Sequence, residues 1–470
     1  MVWARDAQVP SVPRRLDPLR RFAARPRAPL LVLALVSLLS LGARGFMLGE
    51  PCQSPCTSAN AHTLIFDEAY YVNAARVIAG IRPPVGDHYA HSPLGTDPNA
   101  EHPQGAKLIM AAAIELFGDG PFAWRIGSLL MGSIAILGMF ALVRAAGGGS
   151  WPAVGASALM ACDNLLLVHG RIGTLDIYAV AMMVWGVAFY LRGRPVLAGI
   201  ALAVGTCFKE LTPYALLAIV LLELGRVLVA RRDPNAPAHW RARPALGRAA
   251  ATIFVTSGVF VGLLGVMGLI AQPYADAEGK LITGGPFNEI LHIIRYAASL
   301  TSPNGPKGIA SYPWQWLIDL KPIVYLSVSA PLPGHAAGAI RPPVLFLGMI
   351  SPPILALGMA SLPVFAFRLV RRRAPSLSLA AGVSDVQLML LALAWFLGTW
   401  IPYALQSLID QRTSYLYYMV VVMPGLYVGA IHLASLGWRR GRRWLRALIG
   451  AWGVAVLAAV VVMYPLLALF

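Results

Sequence analysis

The chain has 470 residues, 57% of them hydrophobic and 13% charged, with 38 Lys+Arg, 21 Asp+Glu and a formal net charge of +17. A soluble domain carries about a quarter charged residues, so this composition excludes one, and apolar runs of bilayer length argue against short alternating β-barrel strands. The excess base is dispersed over loop ends, which argues against a nucleic-acid partner.

In chain order, a basic tail at 1–27, with "RRLDPLRRFAARPR" at Arg14–Arg27, precedes a first apolar span at 28–47. No small-x-small cleavage pattern follows it, so the span is read as retained. The long polar stretch 48–121 comes next. It holds Cys52 and Cys56 and the segment "TLIFDEAYYVNAARVIAG" (Thr63–Gly80), in which a short, weakly amphipathic helix is expected to lie on the membrane surface. Further spans are expected at 122–143, 152–169, 174–191, 195–208, 212–230, 249–271, 343–367, 386–405, 414–436 and 447–468, about eleven in all. A second long polar stretch, 272–342, interrupts them. The expected fold is therefore an all-α polytopic membrane protein with two large extracytoplasmic loops that carry short surface helices.

The basic segments Arg231–Arg248, Arg368–Arg373 and Trp438–Arg446 fall in alternate loops, on the same side as the basic tail. The positive-inside rule puts these in the cytoplasm, and outer loop 1 (48–121), outer loop 2 (272–342) and the C-terminus outside, at the cell membrane. An outer compartment permits a Cys52–Cys56 disulfide. Free thiols or metal ligation are the alternatives, although no His or second Cys pair completes a metal site.

Polar residues gather at the outer ends of spans: Asp67 and Glu68, "EHPQGAK" (Glu101–Lys107), "HGRIGTLD" (His169–Asp176), "FKE" (Phe208–Glu210), "SYPWQW" (Ser311–Trp316) and "IDQRTSYLYY" (Ile409–Tyr418). Each has a plain structural reading. Asp67 could cap a helix, and Arg171 and Lys209 could snorkel. Their convergence on one side points instead to a site at headgroup depth. Lys107, Arg171, Lys209 and Arg412 suit a lipid-linked phosphate, and an adjacent carboxylate suits deprotonation of an acceptor hydroxyl.

In that order, "IFDEAYYVNAARVI", "HPQGAKLIMAAAIELFGDGPFAWRIGSLLMG", "CDNLLLVHGRIGTLDIYAV", "GTCFKELTPYALL", "SYPWQWLIDLKPIVYL" and "DQRTSYLYYMVVVMPGLYVG" resemble the blocks of the protein O-mannosyltransferases, polyprenyl-phosphate-mannose-dependent enzymes of the GT-C class. The resemblance runs from about residue 60 to 430 and is to the bacterial, actinobacterial-like type without a MIR domain, since outer loop 2 is near 70 residues. It implies a GT-C fold and an inverting transfer of mannose to a Ser or Thr hydroxyl of an exported protein at the outer face.

By the same resemblance Asp67 is the catalytic base and Glu68 its acceptor-binding neighbour. His102, Lys107, Arg171, Lys209, Gln411 and Arg412 bind the donor phosphate, and Asp176, Trp314 and Tyr415 meet sugar or acceptor. The chain departs from the family at Pro103–Gln104–Gly105–Ala106–Lys107, where Pro-Pro-x-Gly-Lys is usual, and at Glu210, where Trp is common. The implied partners are the polyprenyl-phosphate-sugar donor, an exported protein or glycan and the bilayer, with the secretion machinery a further candidate. No cofactor is expected beyond the donor; a divalent ion at Asp67, Glu68 and His102 is the minor alternative. The rival functions are transfer of a pentose or hexose to a lipid or glycan, and transport of a lipid or solute, for which internal repeats would be expected.

Overall fold

The structure is a computed structural model that describes residues 25–52, 56–328, 344–371 and 377–467; the basic tail at 1–24 lies outside the described residues. Helices stand at each of the eleven positions where apolar runs predict spans. The first is α1 (Ala28–Gly45), followed in the first long polar stretch by α2 (Glu68–Ile78) and α3 (Gly105–Phe117). Then come α4 (Pro121–Ala145), α5 (Ser150–Cys162), α6 (Asn164–His169), α7 (Asp176–Leu191), α8 (Pro195–Phe208), α9 (Tyr214–Ala230) and α10 (Ala242–Ile270). The second long polar stretch holds α11 (Pro286–Ser299), and the chain continues through α12 (Pro352–Val370), α13 (Ala380–Ile409), α14 (Met419–Arg439) and α15 (Arg443–Val462). Among the described residues seven helices are long and apolar enough to cross a membrane by length and composition: α1, α4, α10, α12, α13, the α14 segment and α15. Helices α7 and α8 are apolar but shorter.

Proline in the first turn starts α4, α8, α11 and α12, where its missing N–H has no helical partner to lose. The expected span at 152–169 is broken into α5 and α6 at Asp163. Its carboxylate accepts from Leu165 N and Ser351 N and from the Tyr427 hydroxyl, at 3.3, 3.0 and 2.5 Å. A residue that caps the next turn cannot also continue the previous helix.

Two small sheets lie in the polar stretches. Strand β1 (Thr96–Asp97) pairs parallel with β2 (Gln272–Ala275), which pairs antiparallel with β3 (Lys280–Leu281). Strand β4 (Ile323–Val328) pairs antiparallel with β5 (Val344–Gly348). The sequence expectation of a span over 343–367 is corrected here. Its first residues alternate in burial as a strand, and the helix begins only at Pro352.

Helix α4 packs along α7, α8 along α7 and α10, α13 along α9 and α14, and α12 along α14. Trp124, Trp240, Trp316 and Trp395 are fully buried between them. By contrast α10 and α15 are almost wholly outward-facing, with 11% and 6% of their apolar windows buried. In a water-soluble protein such surfaces would be untenable; against lipid they carry no penalty. Cys52 and Cys56 form a disulfide, which settles the alternatives left by the sequence.

Helix α2 is not the surface helix the sequence suggests. Tyr71, Val72, Ala74, Ala75 and Val77 are buried, and Arg76 clips it to the start of α4 through Asp119 at 3.0 Å.

Candidate active site

The approach to α2 sets the site. Phe66 holds a left-handed backbone, φ 55°, costly for an aromatic residue and supported by stacking on Tyr325 at 4.1 Å between centroids. The two following carboxylates then part. Glu68 turns inward and is fully buried. It accepts from Arg125 Nε and Nη2, both at 2.7 Å, from Ile65 N at 2.8 Å and from Gly173 N at 2.6 Å. Asp67 turns outward and lines a cavity of about 400 Å³. It occupies the N-cap position of α2, yet its side chain makes no capping bond and no hydrogen bond to any described residue. Burial pushes its carboxyl up to about 6, with Lys209 acting against the rise.

Lys209 reaches the cavity because α8 stops at Phe208 and Lys209 is extended, φ −156° and ψ 136°. The end of α8 lies so near the start of α3 that a Cβ on Gly105 would sit 2.6 Å from the Cys207 carbonyl oxygen. The Lys209 ammonium is 2.7 Å from Asp176 Oδ1 and 5.4 Å from the Tyr417 ring centroid. Burial alone would lower its proton affinity, but Asp176, with Glu210 and Tyr418, together outweigh it, so Lys209 stays protonated. Asp176 also lies 3.6 Å from His169, whose other ring nitrogen meets the Tyr325 hydroxyl at 2.8 Å.

His102 Nδ1 is 2.8 Å from Glu210 Oε2. Burial would raise the Glu210 carboxyl, but His102 and Lys209 together outweigh it, and the group is held below its usual range. Arg412 closes the cavity from the segment between α13 and α14. Its Nη1 donates to the Ala297 carbonyl of α11. Segments 297–302 and 411–413 are further joined by Ser302 N to Gln411 O and Thr413 N to Leu300 O, both at 2.8 Å, and by the Ser302–Thr413 hydroxyl pair at 2.6 Å. Tyr70, Tyr71, Tyr296, Tyr415, Tyr417 and Tyr418 complete the wall.

Of the residues singled out from the sequence, Asp67, His102, Lys209, Arg412 and Tyr415 line this cavity. The others are placed differently. Glu68 has every acceptor position engaged, so it is a fastening and has nothing left for an acceptor. Lys107 is buried and points away from the cavity, to Asp97 Oδ2 and the Asn99 carbonyl at 2.5 Å and the His102 carbonyl at 2.9 Å; those contacts fix the loop that carries His102. Arg171 is buried and donates to the carbonyls of Arg44, Phe46 and Met47 at 2.9, 2.6 and 2.7 Å, which anchors the end of α1, and it does not line the cavity. Asp176 lies beneath the cavity as the partner of Lys209. Gln411 is exposed at a left-handed turn, φ 51°, outside the lining. Trp314 is 41% exposed and stacks on Tyr312 at 4.5 Å, away from the cavity, while the buried indole of that block is Trp316.

Glu210, Glu101, Asn99 and the tyrosines at 70, 71, 296, 417 and 418 also line the cavity and were given no role from the sequence. The run Tyr415–Tyr418 carried a usable signal, since four residues with three tyrosines after a polar turn form an aromatic wall. Among the described residues no group of three or more His, Cys, Asp or Glu side chains is arranged to hold a metal ion. With Glu68 bound to Arg125, the alternative of an ion at Asp67, Glu68 and His102 lacks one of its ligands.

Comparison with known proteins gives concordant results. Residues 101–256 match the family described as dolichyl-phosphate-mannose-protein mannosyltransferase. A polyprenol-phosphate-mannose–protein mannosyltransferase of Corynebacterium glutamicum is 33% identical over 120 residues, which is 25% of this chain and 22% of that protein's length. In fold, the chain is similar to the Saccharomyces cerevisiae protein O-mannosyltransferase Pmt1–Pmt2 complex bound to its sugar donor, with a TM-score of 0.68 and 11% identity over 93% of this chain and 90% of that one. It is also similar to the Archaeoglobus fulgidus oligosaccharyltransferase tethered to an acceptor peptide, with a TM-score of 0.51 and 12% identity over 94% of this chain and 55% of that one. The polytopic GT-C fold read from the sequence is borne out, as is the resemblance to the protein O-mannosyltransferases.

Proposed function

We propose that the cavity transfers mannose from a polyprenyl-phosphate-mannose donor to a Ser or Thr hydroxyl of an exported protein, at the outer face of the cell membrane. The observation that carries this reading is Asp67: a carboxylate in a tyrosine-walled cavity, with no hydrogen bond among the described residues, beside Lys209, His102 and Arg412. An unengaged carboxylate pushed up to about 6 is ionised at neutral pH and still basic enough to take a proton in a transition state.

The acceptor hydroxyl loses its proton to Asp67 as its oxygen attacks the anomeric carbon. The bond from that carbon to the phosphate oxygen breaks on the opposite face, and the configuration inverts. The leaving phosphate is already an anion of low proton affinity. It needs no general acid, so one carboxylate suffices and the commitment of Glu68 to Arg125 takes nothing from the chemistry. The negative charge that grows on the phosphate is met by the fixed cations Lys209 and Arg412, with His102 beside them, where little water competes. Cations with no carboxylate base would suffice to hold a lipid phosphate, so Asp67 favours transfer over transport.

Purified protein in lipid nanodiscs, given radiolabelled polyprenyl-phosphate-mannose and a Ser/Thr peptide, is expected to label the peptide. Asp67→Asn is expected to bind the donor as before and to transfer about 10²–10⁴-fold more slowly, the range for loss of a general base. Turnover near that of the unaltered protein would remove Asp67 from the mechanism. Labelled lipid or glycan in place of peptide would move the reading to the rival acceptor class.

A further inference from the structure

Helix α11 presents two different exposed stripes. Phe287, Leu291 and Ile294, at i, i+4 and i+7, are 71%, 41% and 57% exposed. Asn288, His292, Arg295 and Ser299 follow the same spacing one residue later, on the neighbouring face. This polar face looks across at the β2–β3 hairpin, and between them runs a groove of about 690 Å³. Its lining includes Lys280, Asn288, His292, Arg295, Tyr296 and Ser299, while Phe287 and Ile294 lie outside it.

Three features give the groove a use. Tyr296 lines both the groove and the candidate active-site cavity, so the two adjoin. Strand β3 is the outer strand of its sheet, and an unpaired strand edge takes an extended chain through main-chain hydrogen bonds alone. The groove also has surplus positive charge. Lys280 pairs with Glu278 of the same hairpin at 2.6 Å, whereas Arg295 has no ion-pair or hydrogen-bond partner among the described residues.

We propose that this groove holds the polypeptide flanking the acceptor hydroxyl, in extended form along β3, and that Arg295 makes it prefer acidic flanks. The proposal rests on the transfer reading above and names its acceptor class. Main-chain pairing tolerates many sequences, and a single unpaired guanidinium in the groove supplies a bias without demanding a motif. An anionic headgroup is the competing occupant. The apolar face of α11, beside the groove, suits the bilayer surface, and the free main-chain edge of β3, which a headgroup cannot pair with, favours a peptide.

The test uses fluorescent Ser/Thr peptides identical except for flanking Asp, Asn or Lys. Binding is read by anisotropy and mannose transfer is read separately, on protein in zwitterionic nanodiscs. Acidic flanks are expected to bind about three- to tenfold more tightly than neutral ones, the scale of one or two partly exposed charge pairs, with the gap narrowing as salt rises. Arg295→Glu is expected to abolish or reverse that order while its melting temperature and its affinity for the donor lipid stay unchanged. Equal binding of the three peptides would overturn the groove proposal, even with transfer intact. An Arg295→Glu effect confined to retention on phosphatidylglycerol vesicles would overturn it in favour of headgroups. Charge-ordered peptide binding without any mannose transfer would sustain the groove and sink the transfer reading.

Discussion

At Phe66 a single left-handed backbone torsion, φ 55°, separates two adjacent carboxylates into unlike environments. Asp67, without a hydrogen-bond partner, has a carboxyl pushed up to about 6, and this gives a signed expectation. The base must be ionised, so kcat/KM for transfer should fall as pH drops through about 6 and level off above it. Stability should move the other way. Burial disfavours the ionised form, so the folded chain binds that proton more tightly than the unfolded chain, and this contribution is lost as pH rises from the unfolded value of 3.8 through about 6. Asp67→Asn should therefore melt no lower than the unaltered protein at pH 7.5, and its advantage should shrink at pH 5. A profile for transfer that stays flat between pH 5 and 8 would show that another group takes the proton. At this scale the sequence was informative about which residues matter and silent about where they point. Arg171 meets the unpartnered main-chain carbonyls at the end of α1, and Lys107 meets Asp97 and the carbonyls of the loop at Asn99 and His102; those carbonyls are invisible in a list of side chains. Lys209 escapes them because the backbone is extended there and Asp176 holds its ammonium under the cavity.

Elements were more legible than their fastenings. Apolar runs of the right length mark every long helix, since lipid requires them whatever the packing. The strand at Val344–Gly348 was lost in such a run because Val344, Leu345, Phe346 and Leu347 are all apolar, so the alternation in their burial leaves no trace in residue type. The break at Asp163 was lost because its cause, Ser351 N and Tyr427, lies far away in the chain. Glu68 is the clearest fastening. It joins α2 to α4 through Arg125 and to the turn before α7 through Gly173 N. Glu68→Gln removes the charge but not the shape, and leaves Arg125 buried without its counter-ion. Breaking one side of such a pair costs about 3–5 kcal/mol. A large drop in melting temperature is expected, with activity falling in step with the folded fraction. A Glu68→Gln protein that melts normally but binds acceptor poorly would restore this residue to the site.

For the molecule as a whole, the sequence expectation concerns orientation. Asp67, His102, Lys209 and Arg412 share one cavity. At another place in the bundle Arg439 pairs with Asp385, and Gly147 abuts Ser384, which brings the ends of α4, α13 and α14 together. The expectation from the positive-inside rule is that this end faces the cytoplasm. Exposed positions report on this directly. With Cys162 and Cys207 replaced and the Cys52–Cys56 disulfide left in place, a cysteine at Ser58 or Asn304 should react with an impermeant thiol reagent on intact cells. One at Asn235 should react only after lysis. The reverse pattern would put the cavity inside and end the proposal of transfer to exported proteins.

The seam between 297–302 and 411–413 carries a consequence for how two ligands sense one another. Arg412 is bonded to the same short stretch of chain that ends α11. A phosphate that draws Arg412 toward itself must either break that bond or bring the end of α11 with it, and Tyr296 is part of that end. Filling one side of the seam thus sets the free energy of filling the other. Such linkage is mutual: the factor by which a lipid donor changes peptide affinity must equal the factor by which peptide changes donor affinity. Disrupting the seam's hydroxyl pair with Thr413→Val should bring both factors toward one together, even though that residue touches neither ligand.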